Sequence, residues 1–115
     1  MLIVDDHPTF RKFARRLLEE AGFAVVGEAQ DGGAAIEAAR ELQPAAVLLD
    51  ILLPDRSGFE VAEALANARH APTVVLTSSR SARDLGLALE EAPARGFIPK
   101  AGFTADAFAD LVGRP

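Results

Sequence analysis

Apolar residues along this chain alternate between two textures: short unbroken runs, and longer stretches spaced three and four residues apart. The first run, Met1 to Val4, stops at Asp5-Asp6 and predicts a buried strand. Pro8 then suits the first turn of a helix, where a missing N–H leaves nothing unpaired. Phe10, Phe13, Ala14, Leu17, Leu18 and Ala21 follow at helical spacing, and Gly22 is a natural stop. Phe23 to Val26 predicts a second strand. Asp31-Gly32-Gly33 breaks the chain before a second helix bearing Ala34, Ala35, Ile36, Ala38, Ala39 and Leu42, ending before Pro44. Ala45 to Leu49 is continuously apolar, as a strand covered on both faces should be, and it runs into Asp50.

The second half repeats the rhythm. Ser57 and Glu60 form a capping-box pattern that opens a third helix through about Ala68. Thr73 to Leu76, after Pro72, predicts a fourth strand that gives way to Thr77, Ser78 and Ser79. Ser81 can cap a fourth helix reaching about Ala92, although Gly86 weakens it. Gly96 to Ile98 predicts the last strand, followed by Lys100, and Thr104 can cap a final helix through Val112. Five strand–helix alternations argue for a parallel sheet with helices on both faces. No linker, repeat or low-complexity segment interrupts them, so residues 1–115 read as one domain.

Composition narrows the class. A length of 115 residues suits a single domain, and a chain half hydrophobic and a quarter charged can pack a core. The absence of cysteine excludes a disulfide framework and any Cys-based metal site or nucleophile. No apolar run approaches the roughly 20 residues that span a bilayer. The opening run is too short for a signal-peptide core, so a soluble, cytoplasmic protein without membrane association is expected. The net charge of −5 argues against direct nucleic-acid binding, which needs a basic surface. The local exception is Arg11, Lys12, Arg15 and Arg16 on the first helix, ordinarily a solvated face.

Candidate chemistry lies at the strand ends, because an open parallel sheet binds ligands beyond the carboxyl ends of its strands. The first strand delivers Asp5 and Asp6, the third Asp50, the fourth Thr77 and the fifth Lys100; the second ends in Gly27 and adds nothing. Three clustered carboxylates repel one another unless a cation neutralises them. Hard oxygen ligands with positions left for water suit Mg²⁺. A carboxylate beside such an ion can attack phosphorus and become an acyl phosphate, with Lys100 and Thr77 holding the phosphoryl oxygens. Singly, each residue has an ordinary explanation as a turn, a cap, a strand former or surface charge. Their convergence does not. His7 lies beside the acidic pair, but the three aspartates already satisfy a metal; His70 has no visible partner and is expected in solvent.

These residues sit in segments that together resemble the receiver domain of two-component response regulators: Leu2 to Pro8, Val47 to Gly58, Pro72 to Thr77, and Gly96 to Lys100. The similarity covers essentially the whole chain. The opening Asp5-Asp6-His7-Pro8 most resembles receivers attached to helix-turn-helix output domains. The resemblance implies a flavodoxin-like, doubly wound sheet in the order 2-1-3-4-5. It implies a phosphorylation-activated switch, in which Asp50 takes a phosphoryl group from a sensor histidine kinase or phosphotransfer protein. Asp6 would bind Mg²⁺ directly, Asp5 largely through water, and the Leu52 carbonyl would add a ligand. Lys100 would pair with the phosphoryl group, Thr77 would turn its hydroxyl toward it, and Phe97 would swing inward as the switch aromatic. The basic first helix would help dock the kinase.

Three departures qualify the match. Ala101 follows Lys100 where the family usually has proline, so the next loop is open to a different course. Leu52 and Ser79 take the positions that flank the phosphoryl group; apolar Leu52 cannot orient an attacking water, so slow self-dephosphorylation is expected. The chain begins inside its first strand and stops after its last helix, so an output domain is not expected within it. A stand-alone protein would act on a downstream target, and a regulator cut short would act through a missing output domain. A phosphorylation-dependent homodimer is compatible with either. The rival enzyme, a phosphohydrolase with an aspartyl nucleophile, typically needs a second aspartate where Leu52 stands, and a phosphorylation-independent interaction module would not need the full acidic set.

Overall fold

The structure, a computed structural model, describes residues 1–115. Five parallel strands, β1 (Leu2–Val4), β2 (Gly27–Ala29), β3 (Ala46–Asp50), β4 (Thr73–Ser78) and β5 (Gly96–Pro99), pair in the order β2-β1-β3-β4-β5. Helices α1 (Pro8–Glu20), α2 (Gly32–Leu42), α3 (Gly58–Ala66), α4 (Ala82–Leu85), α5 (Leu87–Glu91) and α6 (Ala105–Val112) intervene. The expected sheet order is therefore the observed one. No helix is long and apolar enough to cross a membrane.

Strand side chains alternate between faces, and the core divides accordingly. Leu2, Val4, Val47, Leu49, Val74 and Leu76 pack with Ala35 of α2 and Val61 and Leu65 of α3. Ile3, Leu48, Val75 and Ile98 pack on the other face with Ala14 and Leu18 of α1 and Phe108 of α6. Both faces are covered, which is why β3 reads as an unbroken apolar run.

Several boundaries differ from the sequence expectation. The second strand is residues 27–29, not 23–26: β1 pairs Leu2 with Gly27, Ile3 with Glu28 and Val4 with Ala29. Phe23 and Val25 are apolar because they pack beneath the sheet, with the Phe23 ring set edge-on to Phe108 at 5.3 Å. An edge strand tolerates Glu28, which alternation would never suggest. The fourth helix is two short ones. Gly86, at φ 62° and ψ −142°, breaks it, a backbone open to glycine and strained for other residues. Ser57 caps α3 by accepting from Phe59 N–H at 3.0 Å rather than through a reciprocal pair with Glu60. Thr77 lies within β4 rather than past its end, directly across from Asp50 on β3. The Lys100–Ala101 peptide is trans, and Lys100–Gly102 form a single 3₁₀ turn.

Candidate metal and phosphoacceptor site

β1 and β3 end in the same local device. Asp5 Oδ1 accepts from the N–H of His7 at 2.8 Å, and Asp50 Oδ1 accepts from the N–H of Leu52 at 3.2 Å. Each is an aspartate bonding its own backbone two residues on, the turn for which short carboxylates are suited. Because β1 and β3 are neighbours in the sheet, the two turns face one another. Asp5 and Asp50 are buried, at 0 and 2 % exposure, while Asp6 is half-buried.

Lys100 enters from the end of β5. Its Nζ lies 2.7 Å from Asp5 Oδ2 and 3.2 Å from Asp50 Oδ2, and it has the alignment of a hydrogen bond only with Asp50. Burial pushes the Asp50 carboxyl above its ordinary pKa and the Asp5 charge adds to that; Lys100 and the Leu52 N–H oppose them without winning. Burial would depress the Lys100 ammonium, but its contacts with Asp5 and Asp50 outweigh it and leave its pKa raised. The Asp50 carboxylate is thus an under-compensated buried charge.

The donor set fits a hard divalent cation. Asp5, Asp6, His7 and Asp50 each offer an atom within 4.8 Å of the others. Asp5 Oδ2 and Asp6 Oδ1 are buried and accept no aligned hydrogen bond. Lys100 Nζ, 2.7 Å from the first, is the one lysine shared by three carboxylates, a charge balance that a further cation would complete. Thr77 Oγ1 is likewise buried and unpartnered, one residue pair across the sheet from Asp50.

The chain matches the response regulator receiver domain family over residues 1–111. It is a receiver domain. Its relatives include the transcriptional regulatory protein PdtaR of Mycobacterium tuberculosis, 38% identical over 100 residues that cover 87% of this chain and 48% of PdtaR. A Myxococcus xanthus protein-glutamate methylesterase/protein-glutamine glutaminase is 44% identical over 80 residues, covering 69% of this chain and 23% of that enzyme. Among solved structures, the signal receiver domain of NarL from M. tuberculosis superposes with a TM-score of 0.88 at 32% identity, over 96% of this chain and 93% of that one. The receiver spans about half the length of PdtaR and less of the methylesterase. A receiver is the signal-accepting switch of a two-component system, and the same receiver accompanies outputs as different as transcription and ester hydrolysis.

The residues expected at the site fall into three groups. Asp5, Asp6, Asp50 and Lys100 meet in one cluster, with Thr77 beside it in register. Leu52 donates its N–H to Asp50 while its side chain is 65% exposed. Phe97 stands apart, half-buried on the face that packs α2 to α5. His7, set aside on the sequence, comes close: Nδ1 lies 3.2 Å from Asp5 and 3.0 Å from Asp6, on a side chain that is largely exposed. His70 is exposed, as expected, and lines a cavity of about 510 Å³ with Ile36, Arg40 and Leu65 at the far end of α2 and α3.

Supporting contacts were not visible along the chain. Asp55 accepts from the N–H groups of Gly32 and Gly33 at 2.7 and 2.9 Å, tying the loop after Asp50 to the start of α2. Those two backbone bonds hold its carboxyl below the ordinary pKa. Arg11 donates to the backbone carbonyl of Asp5 at 2.6 Å and to Glu28 at 3.0 Å, so the basic first helix partly serves the acidic turn. Arg15 also pairs with Glu28, at 2.7 Å, leaving Lys12 as the residue of that face without an ion pair. Only the charge alternation hinted at these; their partners lie in other elements.

Proposed function

We propose that this receiver is switched by phosphorylation of Asp50, with a sensor histidine kinase or phosphotransfer protein as donor. The observation that carries the reading is the buried Asp50 carboxylate, clustered with Asp5 and Asp6 and sharing one lysine with Asp5, 3.2 Å from its own oxygen. A carboxylate oxygen of Asp50 attacks phosphorus, the bond to the donor histidine nitrogen breaks, and an aspartyl phosphate results. Asp6, Asp50 and the Leu52 carbonyl, with Asp5 largely through water, would hold Mg²⁺, which would supply neutralising charge for the transferred phosphoryl group. Lys100 then leaves Asp50 for a phosphoryl oxygen, and Thr77 Oγ1, lacking a partner, finds one there.

That movement is the switch. Phe97 is Thr77's near neighbour, since β5 pairs Leu76 with Phe97 and Thr77 with Ile98. Space vacated by the hydroxyl admits the ring, and the surface formed by α4, α5, β5 and α6 changes. A downstream target, an output domain or a second copy reads that surface. The lifetime of the phosphate is long, because Leu52 offers no polar group to attacking water.

Intact-mass analysis after incubation with acetyl phosphate and Mg²⁺ tests this. One phosphoryl group should be gained, stable to acid and lost in base, and absent from Asp50→Asn or when Mg²⁺ is chelated. No gain, with no binding of Mg²⁺ or beryllofluoride, would make the domain a phosphorylation-independent interaction module.

A further inference from the structure

Lys100 must be placed accurately although its four-carbon stem turns freely. The carboxylates account for one side of its ammonium. On the other, Nζ lies 4.7 Å from the centroid of the Phe10 ring, within the range where a cation is drawn to an aromatic face. We propose that Phe10 is a positioning residue for phosphoryl transfer, its ring face holding Lys100 at the mouth of the acidic cluster. The proposal rests on the reading of Asp50 as the phosphoacceptor.

The ring is itself held. Phe103 meets it edge-on, with centroids 5.8 Å apart and planes at 71°, and Phe13 flanks it at 6.2 Å. Phe103 is 4% exposed, and its N–H donates to the carbonyl of Lys100 at 3.3 Å, closing the 3₁₀ turn. It also lies 6.5 Å from Phe108 in the core. The backbone of Lys100 and its ammonium are therefore gripped through one aromatic chain. Phe103 sets where the stem leaves the turn; Phe10 sets where the charge ends.

An aromatic face suits this task better than a polar group would. It favours a cation without offering a competing oxygen, so the N–H bonds stay free for the carboxylates at rest and for an arriving phosphoryl group afterwards. The Lys100 side chain is 15% exposed, so the attraction is little screened by water. Helical spacing asks only for an apolar residue at position 10. Leucine would satisfy the core and leave the ammonium without its face.

Two measurements test the role. In Mg²⁺-free protein, the Lys100 ε-protons should resonate upfield of ordinary lysine through the ring current of Phe10. Phe10→Leu should abolish that shift and Phe10→Tyr preserve it. In acetyl phosphate reactions followed by intact mass, Phe10→Leu should phosphorylate about three- to tenfold more slowly, the span a partly desolvated cation–π contact supplies. Phe10→Tyr should run at the unsubstituted rate. In a Lys100→Met background, Phe10→Leu should add no further loss, whereas a merely structural role would slow both backgrounds alike. An unshifted Lys100 resonance, a normal rate in Phe10→Leu, or an equal loss without Lys100 would overturn the proposal. A phosphate-free product from the unsubstituted protein, with the upfield shift intact, would instead overturn the reading of Asp50 and leave the ring contact standing.

Discussion

Asp50 and Leu87 mark two extremes in how this chain holds its residues. Around Asp50 the backbone is tied down by bonds to other elements. Gly58 donates to Ile51 at 2.7 Å, Ile51 donates to Thr77 at 3.0 Å, and Asp55 clamps the outer loop to α2. From Ser81 to Arg95 the opposite holds: α4 and α5 have four and five residues, neither buries one fully, and Leu87 is 70% exposed. The first region keeps reacting groups at fixed distances, as electrostatic stabilisation of a transferred phosphoryl requires. The second can change shape at small cost, since little packing must be broken. A switch needs both, and this fold places them at adjoining strands, β3 and β4.

The sharpest way to break the contrast is Gly58→Ala. A Cβ there would overlap the Asp50 carbonyl oxygen and lie 2.6 Å from Ile51 Cα, both backbone atoms unable to retreat. We expect about 3 kcal/mol of lost stability in urea unfolding. A loss below about 0.5 kcal/mol, typical of a neutral surface change, would mean the loop is not rigid. Next comes Asp50→Asn. Folding raises the Asp50 pKa, so this group's favourable contribution is full below its unfolded pKa and disappears as pH rises through the folded value. At pH 7 its charge is a net cost. Removing it should stabilise the Mg²⁺-free protein by on the order of 1 kcal/mol in thermal unfolding; a lowered Tm would show that Lys100 over-compensates.

Gly86→Ala sharpens the other side. Nothing lies within 4 Å of a Cβ at this position, yet φ of 62° strains an L-residue. We expect the segment to gain helix in far-UV circular dichroism while stability shifts by less than about 1 kcal/mol. A larger loss would show that the break is structural. The smallest effect is one of pH. The Asp55 pKa is depressed from 3.8, so its clamp is intact above that value and lost as pH falls through the folded one. The amide resonances of Gly32 and Gly33 should titrate together below pH 3.8 and cease to do so in Asp55→Asn.

How legible this was depends on range. Asp5, Asp50 and Lys100 could be gathered on one edge because strand ends in a parallel sheet share an edge whatever the details. Phe23 to Val26 misled because apolar residues report burial, and burial beneath the sheet reads the same as burial in it. Gly86 was legible as a weakness in a helix, while the break itself depended on how little α4 and α5 bury. Asp55 gave no signal: its partners are 22 and 23 residues back, and nothing local announces a carboxylate aimed at another helix.

By itself, then, the sequence determined the alternation of elements, the layers that cover the sheet and the residue types brought to its carboxyl edge, since all follow from short-range periodicity and turn chemistry. The tertiary structure alone decided what each side chain meets: Phe10 on Lys100, Arg11 on the Asp5 carbonyl, Asp55 on α2, His7 between two carboxylates. Periodicity assigns a residue to a face and leaves its partner open. Partners depend on register and distance between elements, which exist only once the whole core has packed.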